Sequence, residues 1–310
     1  MSLLLRRHNL LAANGSPAPE PPVIDYSQNY LTIESLDDNN TIGWKTNSSK
    51  GAKTILVSTD NGATWTSKTP STAGTTLAIL NTGDKLLIKG SNAAYGTQSY
   101  YNYFVSSARF NVSGNIMSLI YGDNFRGQTT LSTGWNFKYL FWQCTRLISA
   151  ENLILPATKL IMYCYSYMFM GCSALTSAPT LPATTLATYC YCSMFEHCLS
   201  LTTAPELPAT TLATYCYYNM FSMCTSLTIA PTLPAIKLVG NCYKAMFSGC
   251  SSLNHIKCLA TDISATNCTY NWVYSVAASG TFTKNASMSS WTRNADGIPI
   301  GWTVVDEQGS

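Results

Sequence analysis

Two cysteines, a Met-Phe pair and a set of tyrosines recur every 26 residues through the second half of this chain, and any chemistry it performs has to be sought among them. A first cysteine stands at Cys164, Cys190, Cys216, Cys242 and Cys268, and a second at Cys172, Cys198, Cys224 and Cys250. Such columns invite three readings: disulfides, a metal site, or a nucleophile. Disulfides within a column would join only alternate repeats. Zinc calls for Cys-x-x-Cys pairs or a histidine column, and Cys190/Cys192 is a lone short spacing with neither. A nucleophilic thiol needs a base within reach. His197 precedes Cys198 directly, so on a helix the two side chains diverge, and Cys198 holds a core position. What remains is a small apolar residue copied once per repeat and kept reduced.

Carboxylates are as sparse. Glu151, Glu196 and Glu206 are the only acids between residues 151 and 260. Glycoside hydrolysis needs two that converge, and Glu196 and Glu206 fall on different faces of a repeat. No phosphate loop or Gly-x-Ser-x-Gly motif occurs. The chain reads as non-enzymatic, with no cofactor and no metal.

The aromatic residues are more informative. Tyr165, Tyr191, Tyr217 and Tyr243 follow the first cysteine, while Tyr163, Tyr189 and Tyr215 precede it. Neighbours of a core position cannot all face the core. Tyr165, Tyr191, Tyr217, Tyr243, Tyr189 and Tyr215 therefore form the candidate contact strip for a glycan or a protein, since tyrosine offers area and a hydroxyl at small entropic cost. Stacking between repeats that merely extends the core is the alternative. The positions Ser166, Cys192, Tyr218 and Lys244 differ between copies, as do Met170, Glu196, Ser222 and Ser248. A variable outer face suits recognition, and drift at unconstrained sites explains it equally well.

The elements that must hold these residues follow from the period. A repeat of this length implies a solenoid, each unit burying its apolar face against its neighbours. Leu212, Cys216, Met220 and Cys224 are spaced by four, and Phe221 and Leu227 extend the same stripe, which predicts a short helix. The following Ser226–Thr232 segment predicts a short parallel strand closed by Pro231. One unit is thus helix plus strand, an α/β solenoid. Phe141-Trp-Gln-Cys144 is a degenerate first repeat, so the array spans 111–260, and 261–310 breaks the period as a C-terminal cap.

Ahead of the array, 24–110 carries several short β-branched runs punctuated by Asn, Asp and Gly, which predicts an all-β sandwich of immunoglobulin-like kind. Residues 58–65, Ser-Thr-Asp-Asn-Gly-Ala-Thr-Trp, resemble the Asp-box of sialidases and other β-propellers, a structural hairpin turn set apart from their chemistry. Residues 1–23 end in Gly-Ser-Pro-Ala-Pro-Glu-Pro-Pro and are read either as an extended anchor tail or as a plain chain end. The short apolar run at Leu10–Ala13 is too brief for a secretion signal, so none is expected.

Only 11% of residues are charged and the net charge is +3, too little to predict a nucleic-acid partner. No apolar run approaches the ~20 residues of a membrane span.

The series Met-Phe-x-x-Cys-x-Ser-Leu-Thr-x-Ala-Pro followed by Leu-Pro-Ala-x-x-Leu resembles the BspA-type leucine-rich repeats, over residues 141 to about 275. Their usual form is Ala-Phe-x-x-Cys-x-x-Leu, and their unit is shorter than the 26 residues here. The flanking segments resemble those that accompany such repeats in proteins of gut Bacteroidales and their phages. The resemblance implies a leucine-rich-repeat solenoid and a surface adhesin or virion fibre that binds proteins or glycans. Without an export signal, the expectation is a phage virion structural protein, a head or tail fibre or appendage, assembled in the bacterial cytoplasm. Its N-terminal region would join other virion proteins and its solenoid would meet a host-surface glycan or protein. A homotrimer is expected by analogy with fibres; a bacterial cell-surface adhesin is the alternative, and a glycoside-active enzyme, suggested only by the lone Asp-box-like segment, is a more distant one.

Overall fold

In the computed structural model, residues 25–289 and 291–307 are described; the anchor tail expected at 1–23 lies outside them. The first eight strands are β1 (Leu31–Ser35), β2 (Asn40–Thr46), β3 (Ile55–Ser58), β4 (Thr66–Lys68), β5 (Thr75–Leu80), β6 (Lys85–Lys89), β7 (Asn102–Ser106) and β8 (Phe110–Asn115). A ninth, β9 (Leu147–Ile154), opens the repeats. Alternation sets their faces: Leu31 and Ile33 on β1, and Leu86 and Ile88 on β6, are buried while their neighbours are not so deeply enclosed. Trp44 on β2 anchors the interior, against Tyr95 and Phe104, and its indole N–H donates to the Lys53 carbonyl at 2.8 Å.

These strands form a six-stranded sheet, β4-β3-β6-β1-β8-β9, and a three-stranded one, β5-β2-β7. That order corrects the immunoglobulin-like expectation. In an immunoglobulin sandwich the first, second, fourth and fifth strands share a sheet. Here β2 and β5 pair with β7, whereas β1 lies between β6 and β8. The placement of β8 explains the arrangement: its free edge takes β9 in parallel, so the sheet runs directly into the repeats.

The repeats correct the larger expectation. No helix and no regular strand occupies residues 155–254, and the one α-helix among the described residues is the four-residue Ser118–Tyr121. The α/β leucine-rich-repeat solenoid, with a helix and a strand per unit, is therefore not what the sequence builds. The molecule is three small sheets plus a pile of turn-rich layers.

The misread stripe is a ribbon of consecutive turns. Cys164, Ser166, Met168, Met170 and Cys172 each donate their N–H to the carbonyl three residues back, whereas Tyr163, Tyr165, Tyr167, Phe169 and Gly171 donate to Thr188, Cys190, Cys192, Met194 and Glu196 in the next layer. Even N–H groups thus close turns and odd ones join layers, so every donor in the run is satisfied. Tyr163, Tyr167 and Gly171 take the left-handed conformation, at φ of 57°, 59° and 77°. One left-handed residue every fourth position gives an in-in-out-out pattern that buries Cys164, Tyr165, Met168, Phe169 and Cys172. The same positions form one face of an α-helix over this length, so spacing alone could not separate the two.

On the remaining sides of each layer, pairing shrinks to single parallel bridges such as Lys159–Thr185 and Thr185–Thr211. Regular pairing returns at the end in β10 (His255–Cys258), β11 (Thr281–Asn285) and β12 (Thr303–Glu307), a parallel sheet in that order. Trp272, Trp291 and Phe282 close the interior there.

Candidate functional site

The turn ribbon sorts the tyrosines into two columns. Tyr165, Tyr191, Tyr217 and Tyr243 lie inside, buried to 1% exposure or less, as a continuous ring stack from Phe137 to Trp272 with centroids 5.7–6.2 Å apart. These four members of the expected strip cannot touch a partner. The Tyr165 and Tyr217 hydroxyls have no hydrogen-bond partner. Burial, and then neighbouring thiols, push the phenols of this column well up.

Tyr189 and Tyr215 do reach the surface. With Trp135 and Tyr163 they form an outer ladder of half-buried rings, the successive centroids 5.8, 4.7 and 4.4 Å apart and the planes within 10° of parallel. Each occupies a left-handed position, and Asn241 and Asn267 continue the column where the rings stop. Rings stacked face to face cover one another's faces, so the ladder shows solvent its edges and phenol ends rather than flat platforms. Burial first, then the Tyr215 and Tyr163 phenols, push the Tyr189 hydroxyl up to about 12.

A second row lies beside the ladder. Tyr139 stacks on Tyr167 at 4.6 Å, and Tyr101, Tyr103 and Trp142 close around Tyr139 where β7 meets the first layer. Lys138 is enclosed here at 8% exposure, its ammonium donating to the Thr97 and Gln98 carbonyls and lying 5.2–5.9 Å from the Tyr139, Tyr163 and Tyr167 ring centres. Burial lowers its pKa. Lys244 lies 5.6 Å from both the Tyr218 and the Tyr270 rings. Sequence reasoning missed both as members of an aromatic surface, although Lys138 stands 28 residues before Ser166 and so shares its column with Lys244.

The cysteines carry structure. All twelve are free and buried. In the second column each thiol donates to a phenylalanine carbonyl of the layer before: Cys172 to Phe141, Cys198 to Phe169, Cys224 to Phe195 and Cys250 to Phe221, at 2.9–3.2 Å. Burial raises every one of their pKa values, Cys190, Cys242, Cys250 and Cys258 to about 12, which suits an interlayer clip and not a nucleophile. Cys198 thus points inward while His197 is exposed. Glu196 lies on the outward side of the turn ribbon, and Glu206 lines a separate groove beside Glu151, so the two carboxylates do not converge. Among the described residues no group of three His, Cys, Asp or Glu side chains is placed to hold a metal.

The Asp-box-like segment is a hairpin turn between β3 and β4. Asp60 accepts from the Ser58 and Thr64 hydroxyls and the Thr64 N–H, which hold its carboxyl down at about 2. Trp65 folds back so that its indole N–H donates to Gly62 and its ring lies 4.0 Å beneath the Lys89 ammonium. The Asp60 carboxylate, the Ser58 and Thr64 hydroxyls and the Trp65 indole N–H are all spent on the turn itself.

Among the described residues no helix is long and apolar enough to cross a membrane. No protein-family model, no curated protein and no solved structure matches the chain.

Proposed function

We propose that this protein is a non-enzymatic recognition component of a phage virion, a head or tail fibre or appendage. Its N-terminal region would join other virion proteins, and its layered repeats would hold a surface towards a glycan or protein of the host or its surroundings. The virion assignment rests on the resemblance of the Met-Phe-x-x-Cys repeat and its flanks to proteins of gut Bacteroidales and their phages. The recognition assignment rests on one observation, the outer ladder Trp135–Tyr163–Tyr189–Tyr215 on a hydrogen-bonded frame.

That ladder suits a particular kind of contact. With the ring faces covered, a sugar cannot lie flat on an inner ring. The exposed phenol ends and ring edges favour hydrogen bonds to hydroxyls of a ligand running along the layers. The rings are already immobilised by their neighbours, so little side-chain entropy is lost on binding.

Two measurements test the proposal. Mass spectrometry of purified particles should find the chain, and its copy number should fit the trimer expected of a fibre; recovery from the cell envelope alone would make it an adhesin. On a glycan array, Tyr189→Ala and Tyr215→Ala should each lower binding at least tenfold. Binding unchanged in both would reduce the ladder to packing.

A further inference from the structure

A groove of about 620 Å³ lies on a part of the layers that the ladder does not touch. Residues 176–182 of one layer and 202–206 of the next line it, together with Glu151 and Pro208. Its size falls within the range of ligand sites, ~300–1,000 Å³. A smaller hollow of about 320 Å³ beside His197 has no carboxylate in its lining.

The groove coincides with an interruption in main-chain pairing. On this side of the layers, parallel pairing runs from β8 to β9 and on to Ser177, and resumes from Thr203 through Ile229 to β10, β11 and β12. No bridge joins Ser177 to Thr203 among the described residues. The step before makes Ala150 N–H to Ser177 and Thr176 N–H to Ile148, the step from Ile229 to His255 makes Ala230 N–H to His255 and Asn254 N–H to Thr228, and the Thr203–Ile229 step keeps only its bridge; the counterparts here would be Ala178 N–H to Thr203 and Thr202 N–H to Thr176. Neither counterpart forms. The two walls therefore present main-chain donors and acceptors not used by each other, in segments where Thr176, Thr180, Thr202 and Thr203 are exposed.

Charge marks the same place. Of the three acids between residues 151 and 260, two, Glu151 and Glu206, line this groove. Both are exposed, and neither takes part in a salt bridge among the described residues.

We infer that this groove receives an extended peptide segment of a partner protein, one that carries lysine or arginine. Its main chain would bond to the unpaired walls in the manner of strand addition, and its cationic side chains would meet Glu151 and Glu206. The inference stands independently of the ladder, on different residues.

The test uses the full chain and a fluorescein-labelled octapeptide of alternating Lys and Thr, read by fluorescence anisotropy at low salt. The peptide should bind. The double change Glu151→Gln, Glu206→Gln, at exposed positions that leave the fold intact, should weaken it at least tenfold, and so should N-methylation of alternate peptide amides. Tyr189→Ala should leave it unchanged, which separates this site from the ladder. Three results would overturn the inference: no binding, equal binding of a Glu-Thr octapeptide, or full binding of the N-methylated peptide. A rise in affinity with Arg6→Gln, Arg7→Gln would overturn it too, since the chain's own N-terminal residues would then be the occupant.

Discussion

Tyr217 is sealed between Tyr191 and Tyr243, while Tyr215, two residues earlier, stacks on Tyr189 at the surface. The residue type is the same, yet one ring builds the core, 5.9 and 6.0 Å from its neighbours, and the other reaches the surface, 4.4 Å from Tyr189. The difference comes from the backbone. Tyr215 takes φ of 57°, which turns its side chain out, whereas Tyr217 lies in the inward half of the four-residue cycle. A copied residue thus acquires its role from the turn it occupies. The comparison can be broken at the thiols that share the inner column, at the tyrosines, and at the left-handed backbone.

The largest effect should come from pH. Every cysteine is buried with a raised pKa, Cys192 to about 11 and Cys190, Cys250 and Cys258 to about 12. In an unfolded chain a thiol ionises near ~8.5. A raised acid pKa leaves stability intact below that value and removes it above, because only the unfolded state then releases the proton. By pH 10 each buried thiol costs about 2 kcal/mol, and several together exceed the ~5–15 kcal/mol that stabilises a typical domain. Far-UV circular dichroism after equilibration should show cooperative unfolding between about pH 9 and 10. A chain still folded at pH 11 would mean that the inner column is open to water.

Truncation should separate the two tyrosine columns directly. Tyr217→Ala removes a core ring and should cost about 3–5 kcal/mol. Tyr215→Ala loses one stacking contact at the surface, worth about 0.5–1.5 kcal/mol. Urea melts of the two variants should differ accordingly, and equal losses would deny the inner-outer distinction.

The backbone cause has its own probe at Ala245, where φ is 50°. Ala245→Val should cost about 1–2 kcal/mol, since a branched side chain tolerates the left-handed region poorly. Ala245→Gly should gain about 0.4–1 kcal/mol at the same site. A thermal melt in which valine matches alanine would remove the turn ribbon as the reason for the outward face.

How much of this could be read from the chain follows the same line. The 26-residue copying was plain, and it correctly made Cys172, Cys198, Cys224 and Cys250 core positions. The helix at Leu212–Cys224 was not excluded because an in-in-out-out cycle of four and a 3.6-residue helix bury the same residues over nine positions. A clue was nonetheless present. Asn241, Asn267, Asn219, Asn271, Gly171 and Gly249 all fall at left-handed positions, and residues of these types recurring every fourth place are poor helix interior. Strand order in the N-terminal sheets was beyond reach, since local alternation says which face is buried and nothing about whether β1 lies beside β2 or β6. The groove was equally hidden, because Ser177 and Thr203 occupy equivalent places in copies of one repeat and only the fold leaves them unpaired.

The smallest change tests the comparison at a single atom. Tyr217 buries a hydroxyl with no partner, and such a group costs about 1–3 kcal/mol of lost hydration. Phe137 holds the equivalent place in the first layer, stacked on Tyr165 without a hydroxyl, so the column accepts phenylalanine. Tyr217→Phe should therefore stabilise the protein by about 1 kcal/mol, seen as a higher urea midpoint at unchanged slope. Tyr215→Phe, whose hydroxyl is at the half-buried surface, should leave the midpoint within about 0.5 kcal/mol and should weaken ligand binding if the phenol ends make the contacts. The two substitutions remove the same oxygen from the same repeat. A gain in stability at one and a loss of binding at the other would show that two positions along a turn divide what holds this molecule together from what it offers to others. If Tyr217→Phe destabilises instead, the inner hydroxyls have partners in solution, and the column is a hydrogen-bonded core in its own right.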